Sequence, residues 1–250
     1  MTIKTIIQRI VLKQNLLFFA LCLAFVLPTS PSLAQNHSDW CYPRSAARID
    51  IVPSTDDITF DFSKSEKELN NFKIDTVNPY GKEVIVDVGG LMAGGIQLNH
   101  RANIGYVTNP NYDLSCLWYD SLQIDIGIKP TIYIAREYNK GTCMHNAIME
   151  HEMKHIQVDI DIVNKYANKI GYEINKKLTA EYIYGPTPAA QTAQIQQQMM
   201  SSITDIIMRY VEELKEARRA AQQKVDSRQE YDRVSALCKK GVKKLKSRYH

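Results

Sequence analysis

His151-Glu152-Met153-Lys154-His155 lies inside a stretch, residues 144–170, in which Ala147, Ile148, Val158, Ile162, Tyr166 and Ile170 recur at helical spacing. No Gly or Pro interrupts the pattern before Gly171. A long amphipathic helix is therefore expected from residue 144 to Gly171, with helix resuming after it to about residue 178. On it, two imidazoles four residues apart share one face about a turn apart, so both can reach one metal ion. Glu152 sits about 100° round from His151, placed to hold a metal-bound water without itself ligating. H-E-x-x-H on a helix thus predicts Zn²⁺ with His151 and His155 as ligands and Glu152 as general base. The alternative is a surface helix that carries two histidines without chemical purpose.

Upstream of this helix the hydrophobic period is two. Residues 48–52, 58–62, 82–88, 96–107, 114–119, 122–128 and 131–135 read as strands. Ser65-x-x-Glu68 is a capping box before a short helix, and Asn78-Pro79-Tyr80-Gly81 is a turn. The run Gly89-Gly90-Leu91-Met92-Ala93-Gly94-Gly95 lacks the Gly-Lys-Ser/Thr ending of a phosphate loop and reads as a hairpin or flap. Downstream, Tyr184-Gly185-Pro186-Thr187-Pro188 breaks the chain. A second helix is expected over residues 189–224, with Met199, Ile203, Ile207, Tyr210, Leu214, Ala217 and Ala221 as its apolar stripe. Ser227-x-x-Glu230 caps a last one. The fold class is α+β: a mainly antiparallel or mixed sheet in a β-rich half, residues 35–143, then the motif helix and a long helical hairpin in residues 144–238.

The two ends differ from the body. Lys4, Arg9 and Lys13 precede an apolar run of twelve, residues 16–27, too short for a comfortable membrane span. Pro28, Pro31 and Ser32-Leu33-Ala34 follow, so residues 1–34 are expected to be a signal peptide cleaved after Ala34, with the protein periplasmic or secreted. Without those three cations the formal charge falls from +4 to +1, and without the six in the basic tail, residues 239–250, to −5. The high pI therefore belongs to the ends. A nucleic-acid partner is not expected, and the tail offers at most a weak contact with an anionic surface.

Four cysteines remain after cleavage, an even number that favours disulfides in an exported chain. Of the three possible pairings, Cys116–Cys143 with Cys41–Cys238 is expected. Cys143 as a metal ligand is the alternative, but it stands eight residues before His151, two turns down the helix.

A catalytic zinc site usually has three protein ligands and a water. Asp161 stands where a third ligand falls in H-E-x-x-H-x-x-G-x-x-H/D, but Val158 occupies the position of the turn glycine. Asp159 lies too far along the axis and is better placed to orient His155. Glu173 needs a helix end that the sequence does not show. If the second helix runs back antiparallel about a loop near residue 185, Glu212, Glu213 and Glu216 fall opposite the motif. Helical phase puts Glu213 beside the apolar stripe, and Glu213 is the expected third ligand.

The H-E-x-x-H helix after a strand, with the segment from Trp118-Tyr119 through Tyr133-Ile134-Ala135 to Cys143, resembles the zincin metallopeptidases. More narrowly it is similar to exported bacterial proteins from uncharacterised families of predicted zinc proteases. The resemblance implies His151 and His155 as ligands, Glu152 as base, and a strand at 131–135 that borders the cleft and can pair with an extended peptide. The expected function is a zinc-dependent peptidase-like hydrolase in which Glu152 activates a zinc-bound water against an amide bond of a peptide, protein or cell-wall substrate. The rivals are a non-catalytic envelope binding protein with a structural or vestigial metal, and a cell-wall amidase.

Overall fold

The computed structural model describes residues 40–43, 45–73, 76–81 and 87–246, the last eight by backbone alone. The expected signal peptide, most of the strand expected at 82–88 and the end of the basic tail lie outside the described residues. The elements in chain order are β1 Arg48–Thr55, β2 Thr59–Asp61, α1 Glu66–Leu69, β3 Gly90–Ala93, β4 Ile96–Asn109, β5 Leu114–Ile128 and β6 Thr131–Ile134. Then come α2 Cys143–Ala180, β7 Tyr184–Pro188, a 3₁₀ turn Ala189–Gln191, α3 Thr192–Val225 and α4 Arg228–Lys246. The α+β class expected from the sequence holds.

β1, β5 and β4 form one sheet, with β7 added at the start of β5; β2, β6 and β3 form a second. β1 runs parallel to β5 and β4 antiparallel to it, and the second sheet repeats this with β2 parallel and β3 antiparallel to β6. The two sheets share one level of interruption. Thr55, Ile128 and Ile96 pair in one row, and Thr59, Thr131 and Ala93 pair in a row beyond the break. Gly94 makes this bend possible: its φ is +128°, and a Cβ there would stand 2.5 Å from the Lys129 carbonyl oxygen.

β5 is one strand of 15 residues where the sequence pattern suggested two. The inward positions change phase, from Leu117 and Tyr119 to Leu122, Ile124, Ile126 and Ile128, all buried. A bulge opposite Asn103 and Ile104 absorbs the extra residue, so the pattern shifts without ending the strand.

The expected stripe of α2 packs on the inner face of the sheets. Ile148, Ile156, Ile162 and Tyr166 join Ile126, Ile128, Ile132 and Ile134 in one cluster. Ile170, Ile174 and Leu178 join Leu117, Leu122 and Ile124 with Met199, Ile203 and Ile207 of α3 in the next. Thr142 caps α2 by accepting from the His145 N–H, and the Ser65/Glu68 capping box is formed in both directions.

The disulfides differ from the expected pairs: Cys41 bonds Cys116 and Cys143 bonds Cys238. Parallel pairing of β1 with β5 aligns Arg48 with Ser121, so the residues before β1 arrive beside the start of β5, where Cys116 stands. α4 lies back along the first turns of α2, with Arg233 on Glu150 and Lys154 on Glu230, which carries Cys238 to Cys143. Two disulfides mark a chain that folds under oxidising conditions.

α4 buries none of its described residues and meets the body chiefly through α2. Replacing both Cys143 and Cys238 by Ala is therefore expected to cost about 2–4 kcal/mol. Amide exchange should accelerate in residues 228–238 and not in the paired part of α2 and α3; uniform loss of protection would contradict this view of α4.

Candidate metal centre

His151 and His155 both face inward from α2, each about 8% exposed. Their Nε2 atoms lie 3.4 Å apart. Asp226, the residue that ends α3, brings Oδ1 to 3.2 Å from each Nε2. Two imidazole nitrogens and one carboxylate oxygen thus converge on one point, and this buried cluster could hold a metal ion.

The register of α2 against α3 puts Asp226 there. Asp159, 2% exposed, accepts from Arg218 Nε and Nη2 at 2.7 and 3.0 Å. Four residues back on α2 and four forward on α3, His155 faces Gln222, and one step further His151 faces Asp226. Gln222 Nε2 donates to Asp159 Oδ1 at 2.7 Å and to the His155 carbonyl at 3.1 Å. This leaves its Oε1 turned to the Nδ1–H of His155. Nδ1 of His151 faces Glu230 Oε1 at 3.5 Å, and Glu230 is itself held by Lys154 and Arg233, each at 2.7 Å. With acceptors at both Nδ1 atoms, each imidazole is set to keep Nε2 free for a metal.

Glu213, the expected third ligand, is not part of the cluster. It pairs with Lys169 at 3.1 Å at the surface, roughly 20 Å along the axis of α3 from Asp226. The symmetric hairpin was misplaced by about two turns, because β7 and the 3₁₀ turn fill the connection unevenly. Glu212 and Glu216 point outward to Lys215 and Arg219 on their own helix. The register was visible in one place: Asp159, the acid on the histidine face, needs a cation from the facing helix, and pairing it with Arg218 sets Asp226 opposite His151.

Glu152 is 4% exposed, and its neighbour across the cleft is β3. Gly90 allows this approach, since a Cβ there would stand 2.2 Å from Ile148 Cγ2 and 3.0 Å from Glu152 Oε1. The Gly-rich run expected as a hairpin or flap is thus an edge strand laid over the motif helix. β6, expected to offer an edge to a peptide, is paired on both sides by β2 and β3. Among the described residues the edges of this sheet are β2 and β3, and β3 is the one beside the motif helix.

Burial raises the pKa of Glu152, reinforced by Asp226 and opposed by the two imidazoles and the Met92 N–H. Burial alone would raise that of Asp226, but His151, His155 and Thr76 outweigh it and hold the carboxyl well below the usual range. Burial disfavours the His155 imidazolium, yet Asp226, Glu152 and Gln222 together raise its pKa. Tyr231 of α4 stacks edge-on against His151 at 5.5 Å between ring centres. Its hydroxyl lies 3.3 Å from Asp226 Oδ1, and burial with the charges of Asp226 and Glu152 keeps it protonated.

The segment 76–81 covers one side. Gln223 clasps Val77 through both its amide atoms, at 2.7 and 3.0 Å, and Tyr80 donates to Asp232 at 2.6 Å. Two cavities, about 270 and 180 Å³, meet over His151, Glu152, Gly90 and Tyr231, and the smaller follows β3 as far as Gly94. No family model, curated protein or solved structure matches the chain.

Asp226→Ala is expected to abolish stoichiometric metal binding, and Gln222→Met to weaken it about 10- to 100-fold, while Glu213→Ala leaves it unchanged. Titration with a competing chelator reads all three; loss of metal in Glu213→Ala with retention in Asp226→Ala would overturn the donor set.

Proposed function

We propose that this protein is an exported zinc-dependent hydrolase that cleaves peptide amide bonds. The observation that carries the reading is the convergence of His151, His155 and Asp226 at the floor of a cleft beside a buried glutamate. Donors at about 2.0–2.1 Å from a tetrahedral zinc stand roughly 3.3–3.4 Å from one another. The separations here are 3.2, 3.2 and 3.4 Å. Imidazole nitrogen with one carboxylate suits zinc better than magnesium or calcium, which favour oxygen alone. Three protein donors with cavities beside them fit a catalytic rather than a closed structural site, which favours hydrolysis over the role of a non-catalytic binding protein.

Zinc bound there supplies Lewis acidity to a carbonyl and lowers the pKa of a water molecule. The remaining work falls to the chain. Glu152, next to the triad and shielded from solvent, accepts the proton of the attacking water and delivers it to the leaving amine. Tyr231 keeps its proton and can donate to the oxygen on which negative charge develops. Gln222 and Glu230 fix the imidazoles so that neither turns its N–H into the site. The cleft along β3 accommodates an extended backbone, which supports a peptide over a compact substrate. The two disulfides and the charged, then apolar, start of the sequence support export, with cleavage after Ala34.

Glu152→Gln should lower hydrolysis of a denatured protein substrate by about 10²–10⁴-fold and leave one zinc per chain in elemental analysis. Undiminished hydrolysis in that variant would remove the proposed base.

A further inference from the structure

We propose that the larger cavity is a specificity pocket, which seats one aliphatic or aromatic side chain of the substrate next to the bond that is hydrolysed. This rests on the hydrolase reading above and names the class of substrate.

The cavity begins at the site itself: His151, Glu152, Gly90 and Tyr231 form its inner end. From there it runs between elements that offer apolar surface. Met144 and Ile148 come from α2, seven and three residues before His151, and Val234 comes from α4. Val77 and Pro79 of the covering segment, with Val88 and Tyr138, close the rest. Its volume of about 270 Å³ is just below the range of pockets for whole small ligands, roughly 300–1,000 Å³, and suits a single large side chain.

Charge separates this cavity from its neighbour. Among the described residues, the carboxylates Asp87 and Glu152 line it and no lysine or arginine does. An acidic side chain would lose its hydration and meet like charge there. The smaller cavity, on the β3 side of the cluster, has Lys73, Arg218 and Gln222 in its lining. Cations thus line the β3 flank, while the other flank pairs its apolar side chains with acids alone. Two features keep the apolar flank in place. Gln223 holds Val77 over it, Asp232 anchors the segment beyond at Tyr80, and the Cys143–Cys238 bond fixes α4, with Val234, against the start of α2.

The test uses the purified, zinc-loaded protein and hydroxamate probes that carry a methyl, isobutyl, benzyl or carboxyethyl group, with affinity read by calorimetry. Isobutyl and benzyl probes should bind about tenfold or more tighter than the methyl probe, because each buried CH₂ adds about fourfold, and the carboxyethyl probe should gain nothing. Val234→Trp should erase the preference of isobutyl and benzyl over methyl, and Met144→Ala should shift it toward benzyl. Equal affinities for isobutyl and carboxyethyl, or a preference that survives Val234→Trp, would overturn the pocket. Hydrolysis of a mixed peptide library is followed in parallel. Probe preference without any hydrolysis would sink the hydrolase reading and leave the pocket standing. Hydrolysis without preference would do the reverse.

Discussion

Asp159 and Arg218 form a two-bond ion pair between the long helices, with the carboxylate almost wholly out of solvent. A charge buried that deeply has to be paired, and the loss of either partner would leave the other stranded, at roughly 3–5 kcal/mol. The pair therefore acts on register more than on net stability. A slip of α3 by one turn would part Asp159 from Arg218, Gln222 from His155 and Asp226 from His151 together. The chain links the cost of misregister to the convergence of His151, His155 and Asp226 through three contacts spaced four residues apart on each helix.

The second constraint is economy of position. Asp226, Glu230, Tyr231 and Val234 occupy one short segment that begins where α3 ends, and each meets the site or its cavity. Ser227 starts α4 by accepting from the Glu230 N–H, but the Glu230 side chain is diverted from the capping box to Lys154, Arg233 and His151. Half of a cap is given up to orient an imidazole. α4 has little apolar hold of its own, so its placement depends on those charges and on the Cys143–Cys238 bond. The sheet contributes through its bend: Gly94 turns β3 out of line with β4, and Gly90 lets β3 lie close over Glu152.

Much of this was legible in the residues. The period-two segments that fall on described residues, the capping box at Ser65, the break of helix at 184–188 and the stripes of both long helices read correctly, because each is a local pattern. His151 and His155 could be placed on one buried face for the same reason. What failed depended on distance in sequence. The cysteine pairs follow from parallel pairing of β1 with β5 and from α4 folding back on α2, neither of which leaves a local trace. Glu213 was chosen from an assumed hairpin symmetry that the extended connection at β7 breaks. The phase change within β5 looked like a strand end because a bulge and a turn both interrupt alternation.

The most direct measurement of the central claim is X-ray absorption at the zinc edge on the purified protein loaded with one equivalent of zinc, in wild type and Asp226→Ala. The account predicts a first shell of two imidazoles, one carboxylate oxygen and one further light donor at about 2.0–2.1 Å, with the carboxylate component lost in the variant. An unchanged shell in Asp226→Ala, or a shell of four protein donors in wild type, would contradict it.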